Sequence, residues 1–269
     1  MFDADAPRGD DSPLSFATAV RDQGILAAVD EAIGLRRVLL AFQPVAPAAG
    51  SGPPAFWEGL IRIMDGAGRI VPAADFVGRI ERSETGRRVD ALAIELGLAA
   101  LGADPALRLS VNLGAHSIGY RPFTAALEKG LAADPSVAQR LLLEIDERSA
   151  LSTWEVLRPF MAELQDRGVC FALDGFGAGA TDVARLVALD FDLAKIGVRG
   201  IAADPPARLA ASALMDVARR LGMVIVAQGI ESEADAGAAR SLGADCLQGY
   251  HLGPPVLERP IASGRRRAA

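Results

Sequence analysis

Eight short apolar runs recur along this chain, each broken near its end by a polar residue, with helical patterns between most of them. The runs are VLLAFQPV (38–45), AFWEGLIRI (55–63), LRLSVNL (107–113), RLLLEI (140–145), GVCFALD (168–174), FDLAKIG (191–197), MVIVAQG (223–229) and CLQGYHLG (246–253). They are nearly continuous in apolar residues rather than alternating, the pattern of strands buried on both faces. In 207–222, Ala210, Leu214, Val217, Ala218 and Leu221 share one helical face. Segments 86–102, 122–133, 155–167 and 232–242 also read as helices. Pro159 favours a late start for the helix over 155–167, because proline suits only the first turn. Eight strands with interposed helices over about 220–230 residues predict an α/β fold, a closed (β/α)8 barrel of the TIM type. A doubly wound open sheet is the alternative, weakened because no G-x-G-x-x-G turn follows the first strand.

Composition narrows the function classes. Of 269 residues 51% are hydrophobic and 23% charged, enough apolar content to exclude a disordered chain. The 28 basic and 34 acidic side chains leave a net charge of −6, which argues against a duplex nucleic-acid surface but leaves room for a local anion site. Cys170 and Cys246 lie in apolar runs and are expected to be buried free thiols. With only His116 and His251, a His-rich metal site is excluded and any metal must be held by oxygen. The acidic opening MFDADAPRGDDSP lacks the apolar core of a signal peptide. No run of 18 uninterrupted apolar residues suggests a membrane span, so the expectation is a cytoplasmic protein. The expected organisation is an acidic lead-in over 1–24, a barrel over 25–256 and a basic tail over 257–269.

The polar residues at the run ends are the candidate site. Gln43 lies late in the first run and Glu58 and Arg62 in the second. Asn112, Glu144, Asp174, Lys195, Gln228 and Gln248 follow, one per run. A barrel brings its strand ends to one mouth, and charge buried there is costly unless paired or metal-bound. Glu58, Asn112, Glu144 and Asp174 offer only oxygen, which suits Mg²⁺ or Mn²⁺ and disfavours zinc. Arg62 and Lys195 would supply positive charge for a phosphate.

These segments resemble, in order, the motifs of the EAL-domain family, the bacterial cyclic di-GMP phosphodiesterases and their non-catalytic relatives. FQPV (42–45) is similar to YQP, EGLIR (58–62) to EALLR, SVNLGAHSI (110–118) to VNLS and LEIDERS (143–149) to LEITES. LDGFGAG (173–179) stands for LDDFGTG, LAKIG (193–197) for LKID, AQGIESE (227–233) for AEGVETE and LQGY (247–250) for VQGY. The resemblance implies a barrel with one strand reversed near the start, and cyclic di-GMP lying across the mouth. It implies metal ligands Glu58, Asn112, Glu144 and Asp174, with Lys195 orienting water or phosphate. Gln43, Leu60, Arg62, Glu231, Gln248, Gly249 and Tyr250 would contact or frame the nucleotide, together with Glu58, Asn112 and Asp174.

Three positions depart from the pattern. Gly175 stands for the second Asp of the Asp-Asp pair, which holds the second metal in active members. Gln228 stands for the catalytic Glu, and Gly197 for the Asp of KID. An amide takes no proton at neutral pH, and glycine has no ligand atom. The expectation is a degenerate member that binds cyclic di-GMP with little or no hydrolysis, using one weak Mg²⁺ or Mn²⁺ site at most. The alternatives are a working phosphodiesterase giving linear pGpG, with Asp182 as a substitute carboxylate, and an interaction scaffold that binds no nucleotide. A protein partner and a homodimer are left open.

Overall fold

The computed structural model describes residues 13–50, 52–179 and 181–259, with side chains from residue 24 onward. Helix α1 (Pro13–Gly34) leads into β1 (Val38–Pro47), β2 (Phe56–Met64) and the short β3 (Ile70–Pro72). Then come α2 (Val77–Ile80), α3 (Glu84–Ala103), β4 (Leu109–Asn112), α4 (Arg121–Ala133) and β5 (Leu141–Asp146). The chain continues through α5 (Glu147–Ser152), α6 (Trp154–Gln165), β6 (Cys170–Asp174), α7 (Val183–Leu189) and β7 (Leu193–Gly197). It ends on α8 (Pro205–Arg220), β8 (Val224–Gln228), α9 (Glu233–Ser241) and β9 (Cys246–Gln248).

Eight strands close a ring in the order β1, β2, β4, β5, β6, β7, β8, β9, with β9 returning to β1. Strand β1 is antiparallel to both its neighbours, whereas β2 and β4 to β9 run parallel. The reversal follows from the connection: the short loop after β1 can return only as a hairpin, since a parallel neighbour needs a crossover of a dozen or more residues. The barrel is thus the expected one, with one strand reversed near the start.

Two apolar clusters hold it. The larger lies between strands and helices and includes Phe76, Ile94, Phe123, Leu143, Phe171 and Met215. The smaller fills the barrel floor with Val45, Phe56, Leu142, Ala172, Leu193, Val226 and Cys246. Side chains two apart in a strand share a face. One step beyond each floor residue therefore stand Gln43, Glu58, Glu144, Asp174, Lys195, Gln228 and Gln248. On β1 the step runs backwards, because that strand is reversed.

The structure corrects several expectations. Strand β3 and helices α1, α2, α5 and α7 were not expected. Helix α6 starts at Trp154 with Pro159 inside it; Pro159 is exposed, so water can take the bond that its missing N–H gives up. Cys246 is buried, but Cys170 is only partly so. Arg259, at the start of the expected basic tail, donates to Asp104 at 3.0 Å and lies over the Phe42 ring. Residues 1–12 of the lead-in and 260–269 of the tail lie outside the described residues.

Candidate functional site

The second layer of the barrel is a continuous polar network. Lys195 Nζ, fully buried, donates to Glu58 Oε2 at 2.9 Å and to Glu144 Oε2 at 2.5 Å. Gln248 Nε2 donates to the same Glu58 Oε2 at 2.5 Å and to Gln43 Oε1 at 3.3 Å. Gln43 in turn donates to the Gly253 carbonyl at 3.2 Å. Asn112 Nδ2 donates to Glu58 Oε1 at 3.0 Å. Strand register sets these meetings, since Gln43 lies opposite Glu58, Asn112 opposite Glu144 and Gln228 opposite Gln248.

The electrostatics follow from that crowding. Burial alone would pull the Lys195 ammonium down, but Glu144, Glu58 and Asp174 together hold it above its ordinary range. Burial pushes Glu144 up to about 8, and the Glu58 charge adds to it. Glu58 goes the other way: burial opposes its ionisation, but Lys195 and the hydrogen bonds from Gln248 and Asn112 outweigh that cost. One buried ammonium thus opposes the cost of burial at both carboxylates, with Glu58 held down and Glu144 pushed up.

Glu58, Asn112, Glu144 and Asp174, the residues expected to hold a metal, line one cleft, and two of their buried oxygens are unpaired. Glu144 Oε1 and Asp174 Oδ1 are buried without a hydrogen-bond partner among the described residues. Such orphaned acceptors are unfavourable unless something meets them. The all-oxygen set therefore fits a hard divalent cation. Against that, both oxygens of Glu58 are already engaged, and among the described residues no three of His, Cys, Asp and Glu are gathered as a ready metal cage.

The remaining positions are spread around the mouth. Arg62 is half-buried; its Nη1 donates to the Ile61 carbonyl at 2.9 Å. Among the described residues it forms no ion pair with a carboxylate. Burial depresses its guanidinium, against the influence of Tyr250 and Glu58 nearby. Leu60 is half-buried and lines a cleft of about 390 Å³ with Glu58, Asn112, Glu144 and Asp174. Tyr250 is 70% exposed. Gly249 must be glycine, because a Cβ there would lie 2.1 Å from the Ile230 carbonyl oxygen. Glu231 is exposed and pairs with Arg199 at 3.1 Å. Gly175 is left-handed, at φ +66°. Asp182 accepts from the Arg185 N–H as the cap of α7 and pairs with that side chain, so the expected substitute carboxylate is already engaged.

Three acids were missed. Buried Glu147 accepts from the Gly177 N–H at 3.0 Å and so anchors the loop after β6. Asp90 lines the cleft, accepts from Ser117 Oγ and from the Gly114 N–H, and is pushed up to about 7 by burial. Asp146 caps α5 through the Arg148 and Ser149 N–H groups. Asp90 and Glu147 lie outside the strands, and Asp146, although it ends β5 in register with Asp174, follows Glu144 in a run that Glu144 already marked.

Residues 26–255 match the EAL domain family. The chain is 27% identical over 242 residues to the cyclic di-GMP phosphodiesterase PdeB of Shewanella oneidensis, covering 87% of this chain and 28% of that protein. It spans between 28% and 37% of the length of three such curated relatives. The structure of the PaMucR phosphodiesterase in complex with c-di-GMP superimposes with a TM-score of 0.75 at 25% identity, covering 87% of this chain and 97% of that one. The FimX EAL domain of Pseudomonas aeruginosa, bound to c-di-GMP, gives a TM-score of 0.77 with the same coverages at 21% identity, a likeness of fold. Among the described residues no helix is long and apolar enough to cross a membrane.

Proposed function

From the premise that the chain belongs to the EAL domain family, we propose that it is a cyclic di-GMP receptor with little or no phosphodiesterase activity. The observation that carries this reading is the contrast within one mouth. Gln43, Glu58, Asn112, Lys195 and Gln248 form an intact bonded network. Gly175 and Gln228 stand beside it without a carboxylate. PdeB and PaMucR are named as phosphodiesterases, and the FimX domain was captured with c-di-GMP.

Glu58, Asn112, Glu144 and Asp174 would hold a single Mg²⁺ or Mn²⁺. A bound divalent ion supplies charge to a phosphoryl oxygen and lowers the pKa of water. Ion binding has to compete with Lys195 and Gln248 for Glu58, which makes the site weak. The chain's own residues then decide the outcome. Arg62 and Gln248 bind and orient the phosphodiesters, and Lys195 positions a phosphate or water at Glu58 and Glu144. No carboxylate stands at residue 228 to take the proton of an attacking water. General-base loss typically costs about 10²–10⁴-fold.

One observation favours the second reading, a working phosphodiesterase. Asp146 Oδ2 lies 3.8 Å from where a Cβ on Gly175 would stand, so a carboxylate borders the vacated position. Asp146 is already committed to capping α5, and we rank that reading second. A cytoplasmic signalling role, with an unidentified protein partner or a second copy, belongs to the same proposal. Titration calorimetry with cyclic di-GMP, with and without Mg²⁺, followed by chromatography for pGpG, tests it. Binding without product is expected. Rapid product formation supports the phosphodiesterase, and absence of binding supports a nucleotide-free scaffold.

A further inference from the structure

The three positions that depart from the family pattern lie on one side of the mouth. Gly197 ends β7 and is paired with Gln228 at the end of β8. Gly175 follows β6, and the next N–H, that of Phe176, donates to the Lys195 carbonyl at 3.0 Å. A Cβ on Gly197 would meet nothing within 4 Å, and one on Gly175 nothing closer than 3.8 Å. This rim carries three negative charges fewer than the motifs it resembles, and at Gly175 and Gly197 it leaves room for a Cβ.

Two arginines stand near this rim. Arg148 lines the same cleft as Glu58, Asn112, Glu144 and Asp174. Its Cγ lies 3.4 Å from where a Cβ on Gly179 would stand, in the loop that follows Gly175. Its side chain is 80% exposed, and its Nε is 3.6 Å from Asp146 Oδ1, beyond hydrogen-bond reach. Arg199 comes two residues after Gly197, and its Cβ lies 3.4 Å from where a Cβ on Gly229 would stand, next to Gln228. It is 75% exposed and pairs with Glu231 at 3.1 Å. Exposed pairs of this kind are weak, so neither carboxylate holds its arginine against a phosphate.

A cyclic dinucleotide brings two phosphodiester charges to a chain of net charge −6, so its attraction has to be local. Guanidinium donates two parallel hydrogen bonds to phosphate oxygens, and its charge does not titrate near neutral pH. With three acids absent from the rim, no divalent ion is needed there to offset them. We propose that Arg148 and Arg199 form a phosphate clamp on this rim, so that the nucleotide is held without a divalent metal. The proposal rests on the receptor reading above.

The test is titration calorimetry with cyclic di-GMP at low and high salt, in EDTA and in millimolar Mg²⁺. It compares the full chain with Arg148→Ala, Arg199→Ala and the double variant, with thermal denaturation as a fold check. The expected result is wild-type binding in EDTA that Mg²⁺ leaves unchanged. Each alanine variant should bind about tenfold more weakly, the loss expected for one hydrogen-bonded charge, and should show a shallower salt dependence. Melting should be unaltered, since both side chains are exposed. Wild-type binding that requires Mg²⁺, or alanine variants that bind as the wild type does, would overturn the clamp and leave the receptor standing. A wild type that binds in neither condition overturns both.

Discussion

Lys195 donates to Glu144 at 2.5 Å with both side chains wholly out of solvent, and the same ammonium reaches Glu58 at 2.9 Å. A cation contributed by the chain thus lies between two acids of the expected metal set. Clustered carboxylates repel one another without a cation, and here Lys195 supplies it. We therefore expect Lys195→Met to destabilise the fold by about 3–5 kcal/mol, the usual cost of breaking a buried ion pair. Urea denaturation measures this, and a loss below that range would mean that Glu144 simply takes up a proton.

The same arrangement bears on metal. Glu144 Oε1 and Asp174 Oδ1 are orphaned, so a divalent ion should be taken up weakly. A modest rise in Tm in millimolar Mg²⁺, reversed by EDTA, is the expected outcome. A flat response would show that Lys195 satisfies the site by itself.

Arg62→Ala should leave stability nearly unchanged, because among the described residues Arg62 forms no ion pair that the change would break. Binding of cyclic di-GMP should weaken by about 2–5 kcal/mol, the range for truncating one partner of a buried charge pair. Calorimetry on a variant shown to be folded by circular dichroism separates the two. Unchanged affinity would remove Arg62 from the site.

Hydrolysis should fall below about one-hundredth of that of an active relative, from general-base loss. Gly175→Asp with Gln228→Glu should raise it more than either change alone. Gly175 has room for a Cβ, and its φ of +66°, strained for most side chains, is one that Asp tolerates better than most. Chromatographic assay of pGpG in Mn²⁺ decides, and unaltered turnover in the double variant would refute this account of the lesion.

Asp90 gives a pH signature. Its folded pKa of about 7 lies above the ordinary value of 3.8, so the folded state binds this proton more tightly than the unfolded chain. The stability it contributes is full below about pH 4 and is lost as pH rises through about 7. Asp90→Asn should remove that loss, so the stability difference between variant and wild type should grow by about 4 kcal/mol across the window, at about 1.4 kcal/mol per pH unit. Denaturation series at several pH values measure it, and parallel curves would count against a perturbed Asp90.

Much of the site was legible before the fold was known. Glu58, Glu144, Asp174 and Lys195 each interrupt an apolar run, and a buried charge needs a partner wherever the run ends up. The run lengths and interposed helices were enough for the barrel. Strand β3 escaped because it has only three residues, too few for any period to show. The late start suggested for helix α6 fails because the rule against internal proline ignores exposure, and Pro159 is exposed.

The sequence by itself determined which residues share a strand face, because a strand's side chains alternate whatever its partners are. Leu142 with Glu144, Leu193 with Lys195, and Val226 with Gln228 are such pairs, and the polar member is the one nearer the strand end. Only the tertiary structure decided who bonds to whom. That Lys195 spans Glu58 and Glu144 depends on the inter-strand register across 137 and 51 residues of chain. That Arg148 and Arg199 stand near the rim left by Gly175, Gly197 and Gln228 depends on where helix α5 and the turn after β7 are packed. Periodicity is local, whereas the electrostatics of this mouth arise from contacts between segments far apart in the chain.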